Sequence, residues 1–310
     1  MPGIRVLSPG MMTTVQDLGR FRYQRLGISP AGAMDRYSLR LANLLVDNPP
    51  GEACLEMTLI GPRLEFTAAA VIALAGADLN PELNGTAIEM WASLPVEKGD
   101  MLHFGEARSG CRCYLACLGG FQIPPVLASK STLTRGTLGG LHGVPLKAGD
   151  EIALAPVSGR WSPLRAPSAY RRQYSHKVTA RIILGPQDDC FTKEALRLLL
   201  SSSFTVSPNS DRMGLRLSGP RLRHRGGADI VSDAVVTGAI QVPGDGNPII
   251  MTADRPTTGG YPKIGVVITP DIDMLGQARP GDEVRFSAVS LAQAHDLYGR
   301  YMEGFHRFNS

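Results

Sequence analysis

The sequence lacks a hydrophobic run long enough to cross a membrane. Its longest apolar stretch, residues 68–77, has ten residues, whereas a transmembrane helix needs about 20. The first five residues carry no cationic region that leads into a long apolar stretch, so we expect no signal peptide. These absences predict a cytoplasmic protein with no membrane partner.

Cysteine is scarce: the 310 residues contain five, an odd number that does not support a disulfide framework. Cys111, Cys113 and Cys117 would share one face of a strand, which raises the question of a metal site. Structural zinc sites combine one pair of cysteines with a second pair of ligands, and a rigid strand would hold these sulfurs apart. We therefore predict buried thiols and no metal site.

The sequence also lacks a strong excess of one charge and a lysine-rich run. The 32 Lys and Arg residues against 28 Asp and Glu residues give a net charge of +4, which is too small to indicate nucleic-acid binding. A P-loop is excluded because no Gly-Lys pair occurs, and the zincin and nucleophile-elbow motifs are missing. The glycine-rich residues 136–143 lack dinucleotide-fingerprint spacing, so we predict a flexible loop, with a backbone anion site as the alternative.

Glycine and proline, in contrast, are abundant, with 35 and 23 residues. This composition favours many short strands joined by tight turns. Three Gly-Asp turns, at Asp100, Asp150 and Asp282, each precede apolar residues two and four positions further on. That spacing is typical of a strand with one buried face. The repetition predicts a mainly β chain with a few helices, arranged as two related barrels or sandwiches.

A basic, proline-containing segment is the expected join between the two halves. Residues 155–177 contain Pro156, Pro163 and Pro167 but no acidic residue. We predict an N-terminal barrel over residues 1–160, a linker over 161–177 and a C-terminal barrel with a final helix over 178–310. The segment is either a solvated linker or a docking strip for an acidic partner.

Three stretches have helical periodicity. The first covers about residues 33–46 and ends before Pro49, and the second covers about residues 193–201. The third is C-terminal and begins with a capping box formed by Ser290 and Gln293. Its apolar residues recur at helical spacing, so one face of this helix is expected to pack against the protein.

The strongest signals for function lie in residues 209–265. Arg212 and Arg216 would share one strand face, where two guanidinium groups can bind a carboxylate or a phosphate, although solvent-facing arginines would look the same. Gln241 lies in a strand–turn–strand segment and could recognise an amide. The loop from Asp254 to Pro262 could direct backbone N–H groups at an oxyanion, or it could be an elaborate turn.

Several motifs in these regions and in the N-terminal half resemble the biotin-dependent carboxyltransferase family. Stand-alone bacterial members of that family form the C component of 5-oxoprolinase, also labelled allophanate hydrolase subunit 2 or an antagonist of a sporulation-kinase inhibitor. The resemblance covers nearly the whole chain and rests on ordered motifs at residues 13–20, 27–29, 32–35, 42–45, 55–56, 114–120, 211–217, 238–243 and 254–262.

The resemblance implies a tandem cyclophilin-like β-barrel fold. It also implies an ATP-dependent 5-oxoprolinase that converts a lactam, 5-oxoproline, to L-glutamate together with B and A subunits, the former being an allophanate hydrolase subunit 1-like protein. ATP with Mg would act in the assembled complex. Biotin would not be carried on this chain, because the sequence contains no Met-Lys-Met acceptor.

The family motifs also define two sets of candidate site residues. In the first set, Asp254 would act as a base or bridge a metal, Gln241 would orient the amide, and an anion site would be formed by Arg212, Arg216, Thr257, Thr258 and the loop residues Gly259, Gly260 and Tyr261. The second set, given less weight because its acidic members could serve a turn or a helix start, consists of Gln16, Asp17, Arg20, Asp35 and Asn43.

Two other functions are compatible with the same resemblance. The chain could be a carboxyltransferase component that acts on urea or a related amide through carboxybiotin carried by another protein. It could also be a non-enzymatic binding partner that antagonises a kinase inhibitor. Sensitivity to avidin would separate the first alternative from 5-oxoprolinase.

Overall fold

The computed structural model describes residues 2–156 and 161–308. The chain divides into two compact units. Unit 1 comprises Met1–Arg20 and Ala31–Tyr174, and unit 2 comprises Phe21–Pro30 and Ser175–Ser310. The short segment Phe21–Pro30 therefore belongs to unit 2, although the division predicted from the sequence assigned it to the first half.

Unit 1 is built from two antiparallel sheets. Its strands are β1 (Gly3–Ser8), β2 (Met12–Gln16), β3 (Cys54–Thr58), β4 (Arg63–Phe66), β5 (Ala70–Asp78), β6 (Glu82–Leu83), β7 (Thr86–Ala87), β8 (Ser93–Val96), β9 (Met101–His103), β10 (Ser109–Cys117) and β11 (Glu151–Ala153). One sheet has the order β11-β1-β4-β9-β6-β7 and the other β2-β3-β10-β5-β8. Apolar side chains from both sheets form one core, with Ile4 and Phe66 from the first and Leu74 and Leu115 from the second.

One helix, α1 (Arg36–Leu45), packs on the β10 side of unit 1. Asp35 caps it, because the Asp35 Oδ1 accepts a hydrogen bond from the Ser38 backbone N–H over 3.0 Å. This cap satisfies one of the N–H groups that a helix start leaves without a partner. The first helix predicted from the sequence is therefore confirmed.

Unit 2 contains a closed seven-stranded barrel and a separate two-stranded sheet. Its strands are β12 (Lys177–Leu184), β13 (Ser203–Val206), β14 (Gly214–Ser218), β15 (Asp233–Ala234), β16 (Ala239–Gln241), β17 (Ile249–Met251), β18 (Thr258–Gly259), β19 (Lys263–Val267) and β20 (Glu283–Ala288). The barrel order is β12-β19-β16-β17-β14-β13-β20, and β15 pairs with β18 in a separate two-stranded sheet. The predicted fold class, mainly β with a few helices and barrel formation, is confirmed.

Up to residue 308, where the description of the chain ends, unit 2 contains three helices: α2 (Lys193–Ser201), α3 (Thr269–Leu275) and α4 (Leu291–Phe308). The predicted capping box is confirmed, since the Ser290 N–H donates to the Gln293 side chain and the Gln293 N–H donates to the Ser290 hydroxyl. Helix α3 was not among the three stretches selected from the sequence. Helix α3 has seven residues, too few for a clear apolar repeat, and proline in its first turn is its main sequence signal.

All three Gly-Asp turns lead into strands, as predicted. They precede β9, β11 and β20, and Leu102, Ile152 and Val284 are buried in the cores of their units. Of the basic segment predicted as a linker, residues 157–160 lie outside the described residues. Residues 161–174 belong to unit 1, where Arg165 and Arg171 both pair with Glu89.

Among the residues that the structure describes, none of the helices combines the length and apolar character needed to cross a membrane.

Candidate functional site

A cavity of about 590 Å³ lies in unit 2 beside strands β14, β16 and β17. Five of the predicted site residues line it together: Arg216, Gln241, Gly259, Gly260 and Tyr261. The structure adds residues that the sequence analysis did not select as site residues, among them Ser207, Asn209, Asp211, Asp245 and Asn247. The cavity is therefore the candidate functional site.

The turn before β14 sets one wall of the cavity. The Asp211 Oδ1 accepts hydrogen bonds from the backbone N–H groups of Met213 and Gly214, over 2.8 and 3.1 Å. Short acidic side chains stabilise turns in this way. Strand β14 then places the exposed Arg216 opposite Ile249 of β17, and Arg216 contributes a positive charge to the cavity lining.

Gln241 forms the buried end of the cavity. Its side chain is 3 % exposed, and its Nε2 donates to the Tyr261 carbonyl over 3.2 Å. A β-carbon at position 259 would lie well within 3.0 Å of this nitrogen, so a larger residue there would displace the loop or the amide. The carboxamide is thereby fixed in orientation, and its oxygen can accept a hydrogen bond from a ligand N–H.

The turn between β16 and β17 supplies a further acidic side chain. The Asp245 carboxylate accepts hydrogen bonds from the Asn247 backbone N–H, over 3.0 Å, and from the Asn247 amide, over 3.1 Å. These bonds, the backbone bond first, lower the pKa of Asp245. The sequence does carry a sign of Asp245 and Asn247: Asp and Asn are frequent in the turns beside the strands that contain Gln241 and Arg216. Such turns often contain binding residues.

Arg212 and Asp254 are joined to each other and are not among the described residues that line the cavity. The Arg212 Nε donates to Asp254 Oδ2 and its Nη2 to Asp254 Oδ1, both over 3.0 Å. Strand β14 begins at Gly214, so the predicted strand face shared by Arg212 and Arg216 was wrong. Met213, which follows Arg212, and Pro256, two residues after Asp254, do line the cavity, so the pair lies close to its wall.

Thr257 and Thr258 belong to the loop of residues 256–261, which we call the cavity loop because four of its residues line the cavity. The Thr257 carbonyl accepts a hydrogen bond from the Val235 N–H over 3.0 Å, and Thr258 pairs with Ala234 between β18 and β15. Thr258 is exposed. Neither threonine is among the described residues that line the cavity.

The second predicted set lies in unit 1. The Asp17 carboxylate accepts hydrogen bonds from the hydroxyls of Ser129 and Ser131, over 2.7 and 2.5 Å, and from the Lys130 backbone N–H. Gln16 donates to the Thr132 carbonyl over 3.1 Å, and Arg20 donates to the Ser131 carbonyl. These three residues thus fasten residues 129–132 to the end of β2.

The remaining two residues of that set support helix α1. Asp35 is its cap, and the Asn43 amide donates to the Glu52 carbonyl over 2.7 Å. Beside them, the Tyr114 hydroxyl donates to Glu56 Oε2 over 2.7 Å in a fully buried position. Burial is the main cause that raises the pKa of Tyr114 well above its usual value, followed by the charges of Glu56 and Asp35.

The charges of the cavity define what it can bind. Among the residues that the structure describes, its lining contains one guanidinium, Arg216, and two carboxylates, Asp211 and Asp245. A polyphosphate would meet more negative than positive charge here, which costs Coulomb energy. A small ligand with one carboxylate for Arg216 and an amide N–H for Gln241 fits the lining better.

No group of three or more His, Cys, Asp or Glu side chains suited to a metal ion occurs within residues 2–156 and 161–308.

Comparison with known proteins adds the following findings. Residues 26–288 match a family model described as carboxyltransferase domain, subdomain A and B. The chain is 34 % identical over 291 residues to the C component of 5-oxoprolinase from Escherichia coli, and the match covers 94 % of this chain and 93 % of that protein. It is 37 % identical over 314 residues to urea amidolyase of Lachancea kluyveri, of which the chain spans 17 %.

A solved structure shows the same fold in one of the long enzymes. The Kluyveromyces lactis urea carboxylase superposes with a TM-score of 0.94 at 34 % identity, over 99 % of this chain and 29 % of that one. The chain is thus similar along most of its length both to a stand-alone protein and to one part of much longer enzymes.

Proposed function

This chain belongs to the carboxyltransferase domain family, as its motifs predicted, and we propose that it is one component of an ATP-dependent 5-oxoprolinase. In this proposal the cavity of unit 2 holds the lactam, and hydrolysis to L-glutamate takes place only in a complex with B and A subunits. Two relatives named as the C component of 5-oxoprolinase, 34 % and 35 % identical, match over 93 % and 94 % of their own lengths.

The observation that carries the proposal is the placement of Arg216 and Gln241 in one cavity. At neutral pH, 5-oxoproline has one carboxylate and one lactam group with an N–H donor. A guanidinium binds a carboxylate with two parallel hydrogen bonds, and the fixed Gln241 carboxamide can accept from the lactam N–H. The two side chains therefore match the two polar groups of the substrate.

The residues of this chain bind and orient the lactam in this mechanism. A lactam is an unreactive amide at neutral pH, and ATP, when bound in the assembled enzyme, supplies the phosphoryl group that activates its carbonyl oxygen. The two carboxylates in the cavity lining would repel the phosphate oxygens of a triphosphate that carries no metal, and we assign no step through ATP to this cavity. Gly259 and Gly260 allow the loop backbone to approach the substrate closely.

A second candidate function is a carboxyltransferase component for urea or a related amide, with carboxybiotin carried by another protein. The 0.94 TM-score against a urea carboxylase favours it. An uncharged amide would use Gln241, and the carboxylate available to Arg216 would then be that of carboxybiotin and not of the small substrate. The effect of Arg216 on the KM for the small substrate therefore separates the two candidates.

The test is to co-purify this chain with candidate B and A subunits and to measure glutamate released from 5-oxoproline with and without ATP. We expect ATP-dependent glutamate from the full set and none when this chain is omitted. A stable complex that releases no glutamate would contradict the 5-oxoprolinase proposal. Avidin-sensitive carboxylation of urea in the same preparation would support the second candidate.

A further inference from the structure

We propose that Lys263 and Asp233 hold the cavity loop of unit 2 in its binding conformation, which makes Lys263 a positioning residue of the candidate site. The site's role in turnover rests on the proposed function, but the effect on loop conformation does not. Neither residue was selected from the sequence, and neither is among the described residues that line the cavity.

Lys263 is a buried cation with an exposed partner. Its side chain is 3 % exposed, whereas that of Asp233 is 52 % exposed. The Lys263 Nζ donates to Asp233 Oδ2 over 2.7 Å and to the Ala234 carbonyl over 3.3 Å. Because burying an ammonium ion without a partner is strongly unfavourable, Lys263 draws the strand that carries Asp233 and Ala234 onto the barrel.

Gln187 extends this contact into a small network. Its Nε2 donates to Asp233 Oδ2 over 3.4 Å, and its Oε1 accepts a hydrogen bond from the Lys263 backbone N–H over 3.1 Å. The hydrogen bond from Lys263 is the main cause that lowers the pKa of Asp233. The carboxylate therefore receives donors from strand β19 and from the loop that follows β12.

The strand held by Lys263 is part of a segment, residues 230–235, that we call the flap. The flap covers the cavity loop along its length: the Ile230 N–H donates to the Gly260 carbonyl over 2.8 Å, and the Val235 N–H donates to the Thr257 carbonyl over 3.0 Å. Between these bonds, β15 pairs with β18. The flap thus fixes the backbone of the residues that form the cavity wall.

The flap buries little apolar surface in its middle. Val231 is 92 % exposed, and Ser232, Asp233 and Ala234 are also exposed. Segments with few buried apolar contacts open locally at low free-energy cost. The Lys263–Asp233 pair therefore contributes a large share of the free energy that keeps the flap on the cavity loop.

The position of the cavity loop in turn fixes the ligand-binding amide. Gln241 lies opposite Lys263 in the pairing of β16 with β19, and its Nε2 is in close contact with Gly259. If the flap opens, Gly259 and the Tyr261 carbonyl lose their fixed positions, and Gln241 loses the contacts that orient its amide. Lys263 therefore acts on the ligand through the flap, the loop and Gln241.

The first test is hydrogen–deuterium exchange on the full chain with the variants Asp233→Asn, Lys263→Met and the double variant. We expect amide exchange in residues 228–236 to be at least about tenfold faster in each single variant than in the parent. The double variant should exchange no faster than the single variants, because all three lose the same contact. Glu194→Gln is the matched control, since it removes another ion-paired carboxylate of unit 2, the partner of Arg197. Asp233 is exposed enough that its variant should fold even if Lys263→Met does not.

The second test uses the reconstituted enzyme and the Asp233→Asn variant. A positioning role predicts a KM for 5-oxoproline raised by about tenfold with a smaller change in kcat, and Lys263→Arg should restore part of the loss caused by Lys263→Met. Parental exchange rates in Asp233→Asn, or an unchanged KM in an active enzyme, would overturn the inference. If the parent complex proves inactive on 5-oxoproline, the proposed function fails, and the exchange experiment still decides whether Lys263 holds the flap.

Discussion

The side chains of Arg212 and Asp254 form a buried ion pair with two parallel hydrogen bonds of 3.0 Å, and each side chain is 5 % exposed. A backbone hydrogen bond of 2.8 Å, from the Asp254 N–H to the Arg212 carbonyl, joins the same two residues. Each ion compensates the other in a site that excludes water. We infer that the pair supports the cavity wall through the neighbouring residues Met213 and Pro256.

This pairing predicts that Asp254→Asn destabilises the protein. Asparagine removes the charge that faces the buried guanidinium of Arg212, and loss of one charge of a buried ion pair typically costs about 3 kcal/mol or more. Urea unfolding of the single variants and of the double variant Arg212→Met/Asp254→Asn would measure the coupling between the two side chains. Glu194→Gln, which breaks an exposed pair, should unfold almost as the parent does. If Asp254→Asn kept parental stability but abolished turnover, Asp254 would be the base that the family motif predicted.

The contact between position 259 and Gln241 predicts a strong effect of a single added methyl group. In Gly259→Ala the new β-carbon would lie well within 3.0 Å of Gln241 Nε2, so the loop or the amide must move. We expect kcat/KM for the substrate to fall by about tenfold or more, because small displacements in a site are costly. Gly244→Ala is the control, since its β-carbon would meet Ala228 at an ordinary 3.6 Å. Equal kinetics of the two variants would show that the Gly259 contact does not matter for binding.

Arg216 is expected to determine which substrates bind. Replacing it in Arg216→Gln should raise KM for 5-oxoproline by about 10- to 100-fold, the usual range for a hydrogen-bonded charge contact. Lysine at this position should recover part of the affinity, because it keeps the charge but not the two-bond geometry. Thermal stability should change little, since the side chain is exposed. A variant with unchanged KM would place the substrate carboxylate elsewhere.

The sequence predicted the local features of the fold well. The strands after the three Gly-Asp turns, the Ser290–Gln293 cap and the helix at 193–201 depend on residues within a few positions of each other, and all are present. The pairing of Arg212 with Asp254 joins residues 42 positions apart. It could not be predicted because it depends on how β14 and the loop after β17 meet in the closed barrel.

In the candidate site too, the sequence predicted local features but not the contacts between residues far apart in the chain. Gln241 and Gly259 were selected separately, each from its own motif, but only the barrel brings the glycine against the amide. Lys263 was overlooked because a single lysine in a strand gives no sign of burial. Its partner Asp233 is 30 positions away, in a segment with no regular apolar pattern.

The thiols differ enough in burial to predict which one reacts. Cys54, Cys111, Cys113 and Cys117 are buried, whereas Cys190 is half-buried. Burial is the main cause that raises the pKa values of Cys54, Cys113, Cys117 and also Cys190, so access of the reagent to the sulfur, and not ionisation of the thiol, distinguishes Cys190. We expect a thiol reagent to label Cys190 first in the folded chain and all five cysteines in denaturant. The Cys190→Ser variant should lose the native reaction, and fast native labelling of a unit 1 cysteine would contradict the buried arrangement.

The buried phenol of Tyr114 predicts loss of stability in alkaline solution. Burial first, then the charges of Glu56 and Asp35, raise its folded pKa well above the ordinary 10.0. Folding therefore retains a proton that the unfolded chain releases above about pH 10. The stabilisation is fully present below pH 10 and is lost as pH rises from there through the folded pKa. The slope is about 1.4 kcal/mol per pH unit for this group.

Comparison of parent and Tyr114→Phe measures this contribution. We expect urea unfolding to show the variant less stable at pH 7, because Glu56 loses the 2.7 Å hydrogen bond, and the difference to shrink steadily above pH 10. Tyr174, whose pKa burial also raises, should contribute a similar slope that remains in the variant. Tyr298→Phe is the control, since it removes the hydroxyl of an exposed tyrosine. If the difference in unfolding free energy between Tyr114→Phe and the parent stayed constant up to pH 11, the Tyr114 phenol would ionise as readily in the folded protein as in the unfolded chain.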